Sequence, residues 1–214
     1  MMEIRVKICG LTNLDDARFV AQCGADLLGF VFYEPSPRYV SPERVQEIVA
    51  DLKTEFDTLP KFVGIFVNAT QAQVEETLAR CDLDLAQLHG DEPPEFIVQF
   101  EGRAFKACNP RSLREAEWLA AQYLAGDAPF LLLDAYHPTL RGGTGHTADW
   151  SMAAQVARNC LLLLAGGLNP ENVAGAIDQV QPWGVDVSSG VEAAKGKKDH
   201  VKVKAFIEAV RSKE

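Results

Sequence analysis

The stretch Val6-Lys7-Ile8-Cys9-Gly10 is a short, mostly apolar run that ends at a glycine. Such a run predicts a buried strand followed by a tight turn. Because side chains alternate along a strand, Lys7 and Cys9 point to the same side of it. If the strand belongs to a parallel barrel, Cys9 sits at the end of the barrel where chemistry is done.

The same pattern repeats along the whole chain as an apolar run, a polar turn and an amphipathic segment. The predicted strands are Ile4–Ile8, Leu27–Phe32, Phe62–Val67, Asp84–Leu88, Ala104–Ala107, Phe130–Leu133, Leu161–Ala165 and Val185–Val187. The predicted helices are Leu14–Gln22, Pro42–Leu52, Gln71–Arg80, Pro94–Phe100, Leu113–Tyr123, Trp150–Arg158, Pro170–Asp178 and Val201–Arg211. In Ser41-Pro42 and Asn169-Pro170 a capping residue precedes a proline, which is a typical helix start.

Strands that alternate with helices indicate βαβ units and a parallel sheet. Eight units in 214 residues, about 27 residues each, match the size of a (β/α)8 barrel. An open doubly wound sheet is the alternative, but no G-x-G-x-x-G follows the first strand. Since no change in composition interrupts the pattern, we expect a single (β/α)8 TIM barrel domain over residues 1–214.

The composition is that of a soluble globular protein, with 47% hydrophobic and 24% charged residues. A net charge of −9 argues against nucleic-acid binding through a basic surface. No signal-peptide pattern and no apolar run near the roughly 18 residues of a membrane span is present, so we expect a cytoplasmic protein without a membrane partner. The five cysteines and four histidines are scattered, so neither a disulfide framework nor a metal site is predicted.

Several polar residues follow the first, second and fourth predicted strands, where a barrel carries its reactive groups. Cys9 is either a small buried side chain or a reactive thiol. Arg38, in a proline-rich loop, is either solvated or contacts a carboxylate or phosphate. Gln87 and His89 share one face of their strand, and His89 is either a positioning hydrogen-bonder or an acid–base group.

After the sixth predicted strand, Asp134 directly follows an apolar run, Phe130–Leu133. A carboxylate there is costly unless it is hydrogen-bonded or used in the reaction, so both a structural and a catalytic role stay open. The segment Gly142-Gly143-Thr144-Gly145 comes next, and its glycines allow the backbone to approach a ligand. We expect this segment to act as a lid over the substrate.

The loops after the seventh and eighth strands contain Gly166-Gly167 and Ser188-Ser189-Gly190. Barrels commonly bind phosphate at these two loops, through backbone N–H groups. Tight turns without a ligand are the alternative. The cluster Lys195-Gly196-Lys197-Lys198 is either a solvated loop or a source of positive potential beside the phosphate.

These residues predict a barrel enzyme that acts on a phosphorylated metabolite without cofactor or metal. Cys9 and Asp134 are the candidates for acid–base chemistry across the mouth of the barrel. A thiol accepts a proton near neutral pH if a cation lowers its pKa, and Lys7 is the candidate cation.

The sequence closely resembles the phosphoribosylanthranilate isomerase family of tryptophan biosynthesis. The matching segments are Lys7–Asn13, Gly29–Phe32, Ser36–Val40, Val63–Asn68, Gln87–Gly90, Gly142–Gly145, Gly166–Asn172, Val185–Glu192 and Gly196–Asp199. They follow one another in the family's order over nearly the full chain.

The resemblance implies an Amadori rearrangement of N-(5-phosphoribosyl)anthranilate, with Asp134 as general acid and Cys9 as general base. It also implies that Arg38 binds the anthranilate carboxylate and that Asp186 contacts a ribose hydroxyl. The same resemblance assigns the phosphate to Gly166, Gly167, Ser188, Ser189 and Gly190. The family contains monomers and homodimers, and the sequence does not choose between them.

Two other functions are compatible with a phosphate-binding barrel. A different phosphosugar enzyme is one, but the histidine-pathway isomerase would carry an aspartate where this chain has Cys9, and an epimerase would need metal ligands. A catalytically silent phosphometabolite-binding protein is the other. The presence of both Cys9 and Asp134 argues against it, because binding needs neither.

Overall fold

A computed structural model describes residues 3–125, 128–134 and 150–213. Eight parallel strands form a closed barrel in the order β1 to β8, and β1 pairs with β8 to close it. The strands are β1 Arg5–Cys9, β2 Leu27–Val31, β3 Lys61–Phe66, β4 Leu85–Leu88, β5 Ala104–Cys108, β6 Leu131–Asp134, β7 Leu162–Ala165 and β8 Gly184–Val187. The predicted (β/α)8 barrel is therefore confirmed.

A helix follows each strand in the described residues. The helices are α1 Leu14–Gln22, α2 Pro42–Glu55, α3 Gln71–Arg80, α4 Pro94–Val98, α5 Leu113–Ala125, α6 Ser151–Ala157, α7 Val173–Val180 and α8 His200–Arg211. None of the helices among these residues has the length and apolar character needed to cross a membrane.

Strand alternation divides the apolar side chains into two cores. Ile8 packs in the layer between sheet and helices, whereas its neighbour Cys9 packs inside the barrel with Val63 and Leu132. Lys7 also points into the barrel, where its ammonium group contacts side chains of β4 and β8. The sequence correctly placed Lys7 and Cys9 on one side of β1.

The two predicted helix starts behave differently. Ser41 caps α2 by accepting a hydrogen bond from the Arg44 backbone N–H, with Pro42 in the first turn. The helix predicted from Pro170 begins instead at Val173. The Asn169 side chain accepts hydrogen bonds from the backbone N–H groups of residues 171 and 172, which forms a turn before the helix.

The segment between β8 and α8 contains structure that the sequence did not predict. A short 3-10 helix, Ser189–Val191, leads into two antiparallel strands, β9 Glu192–Ala194 and β10 Lys197–Lys198. The turn between β9 and β10 contains Gly196, whose φ is +76°. This β9–β10 hairpin buries Glu192 and Lys198, although the cluster Lys195–Lys198 looked like a solvated loop.

Candidate active site

A pocket of about 340 Å3 opens at the carboxyl ends of the strands. The residues predicted for the site that line it are Cys9, Arg38, Gln87, His89, Asp134, Gly166, Gly167, Asp186, Ser188, Ser189 and Gly190. Lys7 lies beneath the pocket and is completely buried. The predicted contact at Gly143 lies outside the described residues.

A larger cavity of about 790 Å3 lies at the opposite end of the barrel. Its walls are mainly apolar, with Leu27, Phe130 and Trp183 among them, and its charged pair Arg5–Asp26 is joined at 2.6 Å. In barrels of this kind the reactive groups lie at the carboxyl ends of the strands. The smaller pocket is therefore the candidate active site.

Lys7 is held at the bottom of the site by two side chains. Its Nζ donates to Gln87 Oε1 at 2.8 Å and to Asp186 Oδ1 at 2.9 Å. Burial alone would lower the pKa of Lys7, but the charges of Asp186 and Cys9 outweigh burial and hold the pKa above its usual value. Lys7 is thus a fixed positive charge beneath Cys9.

Burial and neighbouring charges shift the pKa of Cys9 in opposite directions. Burial raises the pKa of its thiol, Lys7 lowers it, Asp186 raises it and Lys198 lowers it, and the balance lies above the usual value. The sequence correctly identified Lys7 as a cation that acts on Cys9. Burial, however, outweighs that cation, so the thiol form dominates at neutral pH.

His89 forms the end of a hydrogen-bonded chain that starts at Lys7. Gln87 Nε2 lies 3.3 Å from His89 Nδ1, and Gln87 Oε1 accepts from Lys7. Burial, followed by the charge of Lys7, lowers the pKa of His89. A neutral imidazole with Nδ1 accepting from the Gln87 amide fits this arrangement.

Arg38 is fixed by a residue to which the sequence gave no role. Its Nε and Nη2 each donate to a carboxylate oxygen of Glu192 at 2.7 Å. Such a two-point pair sets the plane of the guanidinium group. Arg38 lines the pocket, and Glu192 binds two of its three guanidinium nitrogens.

The loops after β7 and β8 approach each other closely at the pocket wall. Gly166 and Gly167 have φ of +96° and +68°, and a Cβ at Gly190 would lie 1.9 Å from the Leu168 carbonyl oxygen. Ser188 Oγ is buried and has no hydrogen-bond partner among the described residues. A buried hydroxyl of this kind needs a partner, and an anion in the pocket would supply one.

Lys198 lies behind the pocket and joins its two sides. Its Nζ donates to the Cys9 carbonyl oxygen at 2.6 Å and to the Ser188 carbonyl oxygen at 3.2 Å, and it lies 3.2 Å from Glu192 Oε1. The sequence placed Lys198 in a basic cluster without a defined partner. Local sequence offers no signal for these contacts, because Cys9 lies 189 positions away.

The chain matches a family model described as N-(5'phosphoribosyl)anthranilate (PRA) isomerase over residues 6–209. It is 46% identical over 209 residues to an N-(5'-phosphoribosyl)anthranilate isomerase of Geobacter metallireducens, which covers 98% of this chain and 100% of that relative.

Solved structures agree with the sequence comparison. Phosphoribosyl anthranilate isomerase from Thermotoga maritima superposes with a TM-score of 0.85 at 43% identity, covering 98% of this chain and 99% of that one. A second solved isomerase, in complex with reduced 1-(o-carboxyphenylamino)-1-deoxyribulose 5-phosphate, has a TM-score of 0.83 at 41% identity, with 98% and 99% covered. The chain therefore belongs to the phosphoribosylanthranilate isomerase family.

Proposed function

We propose that this protein converts N-(5-phosphoribosyl)anthranilate to 1-(2-carboxyphenylamino)-1-deoxyribulose 5-phosphate, an Amadori rearrangement in tryptophan biosynthesis. The observation that carries the proposal is that Cys9 and Asp134 line the same pocket as the paired loops after β7 and β8. A phosphate bound by those loops would place the sugar carbons between a thiol and a carboxyl group. The reaction needs no cofactor.

In the proposed mechanism Asp134 acts first, as the general acid. It gives a proton to the ring oxygen while the bond between that oxygen and C1′ breaks. The nitrogen lone pair forms a C=N bond to C1′, so the Schiff base belongs to the substrate and not to the enzyme. Proton donation at the leaving oxygen avoids an unstable alkoxide.

Cys9 acts second, as the general base. Its thiolate removes the C2′ proton. The electrons of that C–H bond form the C1′=C2′ bond while the π electrons of the C=N bond return to nitrogen, which gives an enolamine. The enolamine becomes the ketone as the C2′ hydroxyl loses its proton and C1′ gains one. Lys7 stabilises the thiolate by its charge. The substrate's own positive nitrogen also favours loss of the C2′ proton.

The proposed binding contacts follow from groups that face the pocket. Backbone N–H groups of Gly166, Gly167 and Ser189–Gly190, with the Ser188 hydroxyl, would bind the phosphate. Arg38, oriented by Glu192, would bind the anthranilate carboxylate. Asp186, whose Oδ1 is bonded to Lys7, would use its other oxygen for a ribose hydroxyl. Gln87 and His89 would complete the floor of the site.

Further expectations from the sequence stay predictions. They are a lid formed by Gly142–Gly145, which lies outside the described residues, a contact from Gly143, one domain over residues 1–214, assembly as a monomer or a homodimer, and a cytoplasmic location.

The proposal is tested with phosphoribosylanthranilate formed in situ, following the loss of anthranilate-type fluorescence. We expect turnover by the purified protein, and a fall in kcat of at least about 100-fold in Cys9→Ser and in Asp134→Asn, because each loses a proton-transfer group. KM should change little, since neither group is proposed to hold the substrate.

Cys23→Ser is the matched control, because Cys23 is a partly exposed thiol at the end of α1 and does not line the pocket. It should keep the activity of the unaltered protein. Absence of fluorescence loss with the unaltered protein would overturn the proposed function. Near-normal kcat in one of the two site variants would exclude the role given to that residue.

A further inference from the structure

The β9–β10 hairpin carries a buried cation that the proposed mechanism does not use. We propose that Lys198 is a positioning residue, whose ammonium group fixes the main chain at the end of β1 against the end of β8 and so sets the place and charge state of Cys9. The inference rests on the proposed function, which makes Cys9 the base.

The geometry of Lys198 leaves it little freedom. An ammonium group has three N–H donors, and three acceptors surround this one: the carbonyl oxygens of Cys9 and Ser188 and a carboxylate oxygen of Glu192. The residue is 3% exposed. Each donor therefore has a partner, and the ammonium group cannot rotate towards water.

The contacts of Lys198 lie where regular strand pairing stops. The paired residues of β1 and β8 end at Ile8 and Val187, one residue before Cys9 and Ser188. From that point the two strands lead into different loops, one towards Gly10 and one towards the proposed phosphate site. Lys198 donates hydrogen bonds to the carbonyl oxygens of both residues, so it joins the two strands where their own pairing has ended.

Lys198 is itself anchored by its backbone. Its N–H donates to Asp16 Oδ2 at 2.9 Å, and the same carboxylate accepts from Asn13 and lies 2.9 Å from His200 Nε2. Glu192, the counter-ion of Lys198, also holds Arg38. One buried lysine thus connects α1, the main chain of Cys9 and the carboxylate that orients Arg38.

The charge of Lys198 gives it a second effect, which a neutral side chain of the same shape would lack. A cation close to the thiol favours the thiolate, and Lys198 is one of the two cations that lower the pKa of Cys9. Burial lowers the pKa of Lys198, while Glu192 and Cys9 oppose burial. Removing the charge should therefore make Cys9 harder to ionise.

The test compares Lys198→Met with Lys197→Met, which alters the exposed neighbour in β10. The rate of Cys9 alkylation by iodoacetamide is followed against pH, with the Cys9 peptide identified by mass spectrometry. In Lys198→Met we expect the alkylation midpoint to move up by about one pH unit. We also expect kcat at neutral pH to fall about tenfold, because the thiolate fraction falls tenfold per unit. Lys197→Met should match the unaltered protein.

Circular dichroism establishes that the variants fold, and Lys198→Gln replaces the methionine variant if that one does not. An alkylation profile like that of the unaltered protein in a folded, uncharged variant would overturn the proposal. A purely structural role for Lys198 would lower stability without moving the midpoint, which also contradicts it. Alkylation needs no turnover, so an unaltered protein without isomerase activity would overturn the proposed function and still leave Lys198 testable.

Discussion

The chemistry of the site depends on the pKa of one thiol, on which burial and neighbouring charges act in opposite directions. Cys9 lies at the end of β1, with the Lys7 ammonium beneath it and Lys198 bonded to its own carbonyl oxygen. Burial has the largest influence on its pKa and raises it, while the two cations act in the opposite direction. The resting thiol is therefore mostly protonated, a form that reacts slowly with oxidants and other electrophiles.

The raised pKa of Cys9 predicts the pH dependence of the reaction. A general base must be deprotonated, and below its pKa the deprotonated fraction grows about tenfold per pH unit. We expect kcat/KM to rise between about pH 7 and 9. The measurement is the initial rate at low substrate concentration across this range, with circular dichroism showing that the fold persists. A flat or falling profile would mean that Cys9 is not the base.

At the scale of elements, the site depends on contacts between loops that belong to different βα units. The loop after β7 and the 3-10 helix after β8 pack so closely that only glycine fits at position 190. Two loops that touch in this way form one wall, whose backbone N–H groups can face the same ligand. The distance between these two loops therefore decides whether their N–H groups can bind one phosphate together.

Gly190→Ala tests that spacing. The added methyl group would lie 1.9 Å from the Leu168 carbonyl oxygen, so the two loops must separate. We expect inorganic phosphate to inhibit the variant at least about tenfold less strongly, a loss of about 1.4 kcal/mol in binding.

Gly175→Ala, in α7, is the control, since a Cβ there meets nothing within 4 Å. It should keep phosphate inhibition unchanged and gain up to about 1 kcal/mol in stability from the better helix propensity of alanine. Equal phosphate inhibition in Gly190→Ala and the unaltered protein would show that the loops do not hold the phosphate.

The elements themselves could be predicted from the sequence because apolar periodicity is a local signal. Strand β3 was expected over Phe62–Val67 and lies at Lys61–Phe66, and α1 and α3 have the predicted bounds. The β9–β10 hairpin could not be predicted in this way. Glu192 and Lys198 look exposed in the sequence, and they are buried because their partners Arg38 and Cys9 come from remote parts of the chain.

Among the site residues, those with a local sequence signal could be predicted, and those that act through remote partners could not. Cys9 and Asp134 follow apolar strands, so their position in the chain already places them at the mouth of the barrel. Glu192 and Lys198 act through partners 154 and 189 positions away, and no local pattern encodes such pairs. The raised pKa of Cys9 also could not be predicted, because it depends on burial, which only the folded barrel defines.

At the scale of the whole molecule, several ion pairs are buried in an otherwise mainly apolar interior. Lys7–Asp186, Lys106–Glu92 and Lys198–Glu192 are all buried among the described residues. Glu92 also accepts hydrogen bonds from the backbone N–H groups of Asn68 and Gly90, and Lys106 donates to the Gly90 carbonyl. This group joins the loops after β3 and β4 to strand β5, so its loss affects the stability of the whole fold.

Lys106→Met is expected to lower the free energy of unfolding by about 3–5 kcal/mol, because it leaves the Glu92 carboxylate buried without a counter-ion. Urea unfolding followed by circular dichroism measures the change. Lys61→Met, which removes a lysine on the exposed first residue of β3, should stay within about 0.5 kcal/mol of the unaltered protein. A loss below about 1 kcal/mol in Lys106→Met would show that Glu92 tolerates the absence of its partner.

Closure of the barrel between β1 and β8 has a consequence for how the protein is made. Lys7 pairs with Asp186, and Cys9 is held by a lysine at position 198, so β1 completes its contacts only with residues more than 175 positions later in the chain. During synthesis on the ribosome, β1 has one unpaired edge until β8, Gly184–Val187, has emerged. A product truncated before Asp186 lacks that carboxylate and the loop after β8, so it cannot contain a complete site.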